Sequence, residues 1–102
     1  EHQNIKLKLF KMFTMVEAAR GAARRMALYN AVNEPPSAPH AVACKCLSTE
    51  TATFVASEAM QIFGGYGLTR EYPVEKMFRD ARAAMIEDGV NETLSIAAAE
   101  YL

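Results

Sequence analysis

Two short turns carry the residues with the most chemical potential. Gly64-Gly65-Tyr66-Gly67 is a glycine-rich turn. Glycines let a backbone approach a ligand closely and turn its N–H groups toward an anion. No Gly-Lys-Ser/Thr follows, which excludes a phosphate-binding Walker loop, and no strand pattern precedes the turn, which excludes a dinucleotide fingerprint. A plain helix C-cap and turn would use the same residues. The second turn is Ile86-Glu87-Asp88-Gly89-Val90-Asn91. A carboxylate there could act as a general base, and amides at the start of the next helix would attract a phosphate or carbonyl oxygen. A solvated, helix-capping acidic turn is the plainer account of the same residues.

Few other side chains suggest chemistry. His2 and His40 have no Asp, Ser or Cys at a suggestive spacing, and both read as surface histidines. Cys44 and Cys46 are two positions apart, so a helix points them to different faces and neither a disulfide nor a shared metal is expected. They read as small, buried or half-buried residues, and free cysteines fit a reducing compartment. Arg70, Arg79 and Arg82 read as surface partners for Glu71, Glu75 and Asp80. No metal-ligand cluster and no nucleophile elbow are visible.

Helices must position these turns. Ile5, Leu9, Met12, Phe13, Val16, Ala19, Ala23, Met26 and Ala27 recur mostly at steps of three and four, which predicts an amphipathic helix over about residues 5–32. Such a helix is roughly 40 Å long. Asn33-Glu34-Pro35-Pro36-Ser37-Ala38-Pro39 breaks it, because proline cannot continue a helix interior and pushes its predecessor to an extended conformation.

A second helix is predicted from Pro39 or His40 to Phe63, with Cys44, Leu47, Thr51, Phe54, Val55 and Ile62 as its stripe and Gly64 ending it. Glu58 falls on that stripe and is expected at its edge, reaching water, with no catalytic role. Ala43, Ala52, Ala56 and Ala59 would let a neighbouring helix come close. A third helix should begin near Pro73, with Val74, Met77, Phe78 and Ala81 as its apolar stripe. Asn91 is a plausible N-cap for a last helix carrying Leu94, Ala97, Ala98 and Tyr101.

No repeat and no convincing strand is present, so the expected class is all-α: an up-down four-helix bundle, two long helices followed by two shorter ones. The 102 residues fit one domain, and an apolar content of 51% is enough to bury a core. A domain this small hides only about 60–70% of its unfolded surface, so partner surfaces would help. The net charge of −1, with both signs interleaved, gives no reason to expect nucleic acid or an acidic membrane surface. No apolar run approaches the ~20 residues of a membrane span, and no signal or transit peptide is visible. The opening Glu1-His2-Gln3-Asn4 has no initiator Met, which suggests a fragment or a processed chain.

Joined together, the two turns say more. Gln61-Ile62-Phe63-Gly64-Gly65-Tyr66-Gly67, then Thr69-Arg70-Glu71-Tyr72-Pro73-Val74-Glu75-Lys76, then Phe78-Arg79-Asp80-Ala81, closely resembles the C-terminal helical domain of the acyl-CoA dehydrogenase family. The flanking helices fit as well, from His2-Gln3 through Val16-Glu17-Ala18-Ala19-Arg20, so the resemblance covers essentially residues 1–102. It implies a flavoenzyme of fatty-acid β-oxidation type. Members remove a proton alpha to the thioester carbonyl of an acyl-CoA while hydride moves from the beta carbon to FAD. The product is a trans-2-enoyl-CoA, and electrons pass to an electron-transfer flavoprotein. The whole fold also has an N-terminal helical domain and a central β domain, both absent from this chain, and is usually a tetramer. The chain alone is therefore expected to be inactive, and a bacterial cytoplasm is expected rather than a mitochondrial matrix.

The resemblance also implies roles. Gln61, Ile62, Phe63, Gly64 and Gly65 match the segment that contacts FAD, typically that of a neighbouring subunit. The family's usual turn is Tyr-Glu-Gly-Thr and a polar pair, where this chain has Glu87-Asp88-Gly89-Val90-Asn91-Glu92. Asp88 then takes the catalytic-base position, with its own N–H as a candidate donor to the thioester carbonyl, alongside a flavin ribityl hydroxyl. Gly89 lies beside the thioester, and Val90, Asn91 and Glu92 match positions near the FAD. No metal is implied.

Two departures matter. Aspartate is one methylene shorter than the usual glutamate, and displacements of about 1 Å can cost on the order of 100-fold in rate. An Asp can serve only if substrate or backbone sits closer, as with a branched or cyclic acyl group. Val90 lacks the threonine hydroxyl that could bond the cofactor. The alternatives are a base on another helix, a non-catalytic FAD-holding or assembly subunit of a heteromeric relative, an acyl-CoA oxidase passing electrons to oxygen, and a helical interaction domain without cofactor.

Overall fold

The computed structural model describes residues 2–102. Glu1 and the side chain of His2 lie outside the described residues, so the reading of His2 as a surface histidine is not addressed. The order of elements is α1 (His2–Val32), α2 (Ala38–Phe63), a 3₁₀ turn (Gly64–Leu68), α3 (Val74–Ala84) and α4 (Asn91–Ala99). The fold is all-α, with two long helices followed by two short ones, as the periodicity predicts.

α1 runs without a proline and needs no break until the Pro35-Pro36 segment. At 1.5 Å per residue its 31 residues account for most of the molecule's 49 Å length. α2 starts at Ala38 because Ser37 caps it: the Ser37 Oγ accepts from the His40 N–H at 3.3 Å. Asn30 clasps the same residue across the break, accepting from the Ser37 N–H at 2.8 Å and donating to the Ser37 carbonyl at 3.1 Å. His40 is not the free surface histidine expected. Its ring stacks on Tyr29 at 3.9 Å, and its Nδ1 lies 2.8 Å from Ser37 Oγ.

α2 is the hub. α1, α3, α4 and the 3₁₀ turn all pack on it, whereas among the described residues α1 meets neither α3 nor α4, and those two do not meet each other. This explains which part of the α1 stripe is used. Ile5, Met12, Met15, Ala19, Ala22 and Met26 are buried or half-buried, an alternation of threes and fours like the narrow seam of a helix pair. Leu9, Phe13 and Ala27, expected on the packed face, are exposed, because a single partner helix covers only that seam.

Full burial is reached only by small side chains: Ala19, Ala56, Val74, Ala98, Thr51 and Asn91. Half-apolar composition therefore does not become a deep core here. Leu7, Phe10 and Ile96 remain about 70% exposed. Glu58 is half-buried at the α1–α2 edge, where its Oε1 lies 4.0 Å from Lys8 Nζ. Both cysteines are free and half-buried. No helix is long and apolar enough to cross a membrane among the described residues.

Candidate functional site

The first turn grows out of the C-terminal end of α2. Gly64 ends the helix at φ 64°, and its N–H donates to the Gln61 carbonyl. The chain then coils once as a 3₁₀ turn that folds back on α2. Gly67 is the reason it can. A Cβ there would stand 2.7 Å from the Met60 carbonyl oxygen and 3.1 Å from both Met60 Cα and Phe63 Cβ. At Gly64 and Gly65, by contrast, a Cβ would meet nothing within 4 Å. Their backbones face open space beside a cavity of about 440 Å3 lined by Ser57, Met60, Gln61, Gly64, Gly65, Leu68 and Phe78. The expected FAD-contacting residues divide here: Gln61, Gly64 and Gly65 line this cavity, while Ile62 and Phe63 do not. Phe63 packs on Tyr72 at 5.2 Å, and Tyr72 meets Tyr66 edge-on at 6.1 Å, which stiffens the far side of the turn.

α3 leads from this turn to the acidic one. Its exposed face carries Glu75–Arg79 and Lys76–Asp80 pairs, one helical turn apart. The expected Arg79–Glu75 pair forms. Asp80 is held below the ordinary carboxylate range first by its 2.7 Å hydrogen bond from Lys76, with the charges of Lys76 and Arg79 adding to it. Arg82 turns its Nη1 toward the Met85 sulfur at 3.7 Å.

The acidic turn is closed by the Asn91 N–H donating to the Met85 carbonyl at 3.1 Å, after the Glu87 N–H has bonded back to Ala83 at 2.9 Å. Asp88 sits between these bonds at φ 55°. This is the left-handed region, which Asp and Asn enter more readily than other residues with a Cβ. Gly89 follows at φ 106°, and a Cβ there would lie 2.9 Å from Leu94 Cδ2. Asp88, Gly89, Val90 and Glu92 are all exposed, and among the described residues the Asp88 N–H donates to no backbone carbonyl.

Asn91 corrects an expectation. Val90, in an extended conformation, occupies the cap position of α4 and offers no side-chain cap. Asn91 is the first helical residue, only 3% exposed, and its side chain is committed inward. Its Oδ1 accepts from Lys45 Nζ at 2.6 Å and its Nδ2 donates to Thr49 Oγ1 at 3.0 Å. Lys45 also donates to the Gly89 carbonyl at 2.8 Å and reaches the Met85 carbonyl at 3.5 Å. Cys46 adds weak contacts to the Asn91 carbonyl and Ser95 Oγ, at 3.8 and 3.6 Å.

The sequence pattern alone marks neither Lys45 nor Thr49, nor which glycine of the Gly64–Gly67 cluster the turn depends on. A signal for the first was present: Lys45 is the only lysine or arginine in α2, and Thr49 lies one turn further on the same face. The two expected groups, Gln61–Gly65 and Asp88–Glu92, lie at opposite ends of the 11-residue α3. The cavity beside Gly64 and Gly65 takes no lining residue from the acidic turn. Glu92 and Asn91 instead border a second cavity of about 370 Å3 with Glu50, Met85, Ser95 and Ile96.

Comparison with known proteins agrees with this architecture. The family profile described as "Acyl-CoA dehydrogenase, C-terminal domain" matches residues 1–102. A short-chain specific acyl-CoA dehydrogenase of Megasphaera elsdenii is 40% identical over 90 residues, 88% of this chain and 23% of the relative. A cyclohexane-1-carbonyl-CoA dehydrogenase of Geobacter metallireducens is 39% identical over 93 residues, 90% of this chain and 24% of the relative. The solved structure of butyryl-CoA dehydrogenase from Megasphaera elsdenii superposes with a TM-score of 0.88 at 35% identity, covering 99% of this chain and 26% of that one. The chain thus spans about a quarter of the length of these relatives.

Proposed function

Because this chain belongs to the acyl-CoA dehydrogenase family, we propose that it is the C-terminal, base-bearing part of a longer FAD-dependent enzyme that oxidises an acyl-CoA thioester to the 2-enoyl-CoA. The observation that carries this reading is the presentation of Asp88. Its carboxylate is exposed at the apex of a turn closed on both sides by backbone bonds, and among the described residues its N–H has no backbone acceptor. One residue then offers both functions the reaction needs. The carboxylate takes the α proton, while the adjacent N–H donates to the thioester oxygen where enolate charge develops. Gly89 adds no side chain beside it, so the thioester can lie close.

The glycine turn fits a flavin nucleotide. Gly64 and Gly65 leave open space at both Cα positions, and Gln61 lines the adjacent cavity, so a phosphate or adenosine could approach the backbone closely. FAD, when bound, supplies the acceptor for the β hydride. The inward commitment of the Asn91 side chain leaves Val90 and Glu92 as the exposed members of their group toward the cofactor. The thin core and the exposed Leu7 and Phe10 favour a working form in which further domains and subunits cover this one. The family resemblance implies an electron-transfer flavoprotein as acceptor.

The short reach of Asp88 favours acyl groups whose α carbon comes close to the turn, branched or cyclic ones, and one relative bears the name of a cyclic acyl-CoA dehydrogenase. The test is Asp88→Asn in the full-length flavoprotein. Turnover should fall about 10²–10⁴-fold with the FAD absorbance retained. Unchanged turnover would instead favour a non-catalytic FAD-holding subunit, and peroxide formation by the wild type would mark an oxidase.

A further inference from the structure

Lys45 sits in the first third of α2, far in sequence from the acidic turn, yet the hydrogen bonds of its ammonium all go to that turn and its edge. Its ammonium donates to Asn91 Oδ1 at 2.6 Å and to the Gly89 carbonyl at 2.8 Å, and lies 3.5 Å from the Met85 carbonyl. Among the described residues it has no carboxylate within ion-pair distance. An ammonium carries three donors, and here all three are directed at oxygens on the two sides of Asp88. Two are backbone carbonyls, at Met85 where α3 ends and at Gly89 next to Asp88. The negative end of the α3 dipole adds to the attraction.

A ring of bonds locks the arrangement. Asn91 Nδ2 donates to Thr49 Oγ1 at 3.0 Å, and that hydroxyl donates to the Lys45 carbonyl at 2.8 Å. Asn91 is nearly fully buried, so breaking a bond to its side chain leaves a buried polar group unpaired. The geometry also fixes a peptide plane. C=O and N–H of a trans peptide point in opposite directions. With the Gly89 oxygen drawn toward Lys45, the Val90 N–H faces away from it.

We infer that Lys45, acting through Gly89 and Asn91, is the positioning residue that holds Asp88 in its proton-abstracting place. The inference rests on Asp88 as the base. It explains how a carboxylate in a left-handed, exposed turn keeps one position: the turn is anchored from the hub helix rather than by contacts of the carboxylate itself. Positioning of this kind acts on the chemical step, since errors of about 1 Å in a reacting group can cost on the order of 100-fold.

The test uses the full-length FAD-loaded enzyme and compares Lys45→Met, Thr49→Val and Asp88→Asn. The readout is the rate of flavin bleaching on mixing with saturating acyl-CoA, normalised to bound FAD, together with the KM. Lys45→Met should slow bleaching about 10- to 100-fold with KM and FAD content changed less than about twofold. Wild-type bleaching per bound FAD, or a loss confined to stability and FAD content, overturns the inference. Should Lys45→Met yield no flavoprotein, Thr49→Val decides: slower bleaching supports the ring, and an unchanged rate overturns it. Asp88→Asn separates the two readings. If it abolishes bleaching while Lys45→Met does not slow it, only the role of Lys45 fails. If Asp88→Asn bleaches normally, the base assignment fails and the positioning role goes with it.

Discussion

Gly67 and Gly89 occupy the turns at either end of α3, and neither has room for a side chain, but the obstacles differ. At Gly67 the obstacle is backbone: the Met60 carbonyl and Cα stand where a methyl would go. At Gly89 it is the tip of Leu94, a flexible side chain, together with a φ of 106°. The first turn keeps its shape because it is pressed directly onto α2. The second stands away from α2 and is tied to it by Lys45 and Asn91. A loop held by close backbone packing needs little help from side chains. The acidic loop is instead anchored by long-range polar bonds, which leave its outer surface exposed.

Substitutions can break or sharpen this contrast. The largest effect on stability is expected from Gly67→Ala. Neither Met60 backbone atom can yield without displacing α2, so the variant should lose about 3 kcal/mol, read as a lower thermal midpoint of the full-length protein. A loss below about 1 kcal/mol would show that the glycine turn is not pressed on α2 as described. Gly89→Ala should cost less, about 1–2 kcal/mol, since Leu94 can rotate away and the backbone strain remains. Its distinguishing mark is a larger fall in turnover than in stability, because the strain is released beside Asp88. If Gly89→Ala proves the more destabilising of the two, the contrast is reversed.

The smallest effect belongs to the exposed face of α3 between the turns. Lys76 holds Asp80 below the ordinary carboxylate range, so the pair's contribution is present above that range and is lost as pH falls through the depressed value. Both side chains are well exposed, so the contribution is slight. The thermal midpoints of wild type and Asp80→Asn should therefore differ a little at neutral pH and converge in acid. A gap that widens in acid would contradict the pairing.

Much of this was legible in the residues. The helix count followed from apolar spacing, the breaks from Pro35-Pro36 and Gly64, and both turns from their glycines, because these signals are local. What escaped was set by residues distant in sequence. The α1 face narrowed, leaving Leu9 and Phe13 outside, because only α2 covers it. Asn91 looked like a cap by its type, yet a lysine 46 positions earlier draws it inward. His40 looked free, yet Tyr29 stacks on it across the proline break. Gly67 was read as one more member of a glycine cluster, and only the proximity of Met60 shows that it is the member the turn cannot lose.

The hub arrangement also has a kinetic consequence. The clasp between Asn30 and Ser37 spans only seven positions, so α1 and α2 can zip together early, at low cost in loop closure. α3 and α4 add to this hairpin separately, since among the described residues neither packs on α1 or on the other. Each can then open without disturbing the rest. Amide hydrogen exchange should be slowest along the α1–α2 seam and faster in α3 and α4, so that the segment bearing Asp88 joins last and loosens first.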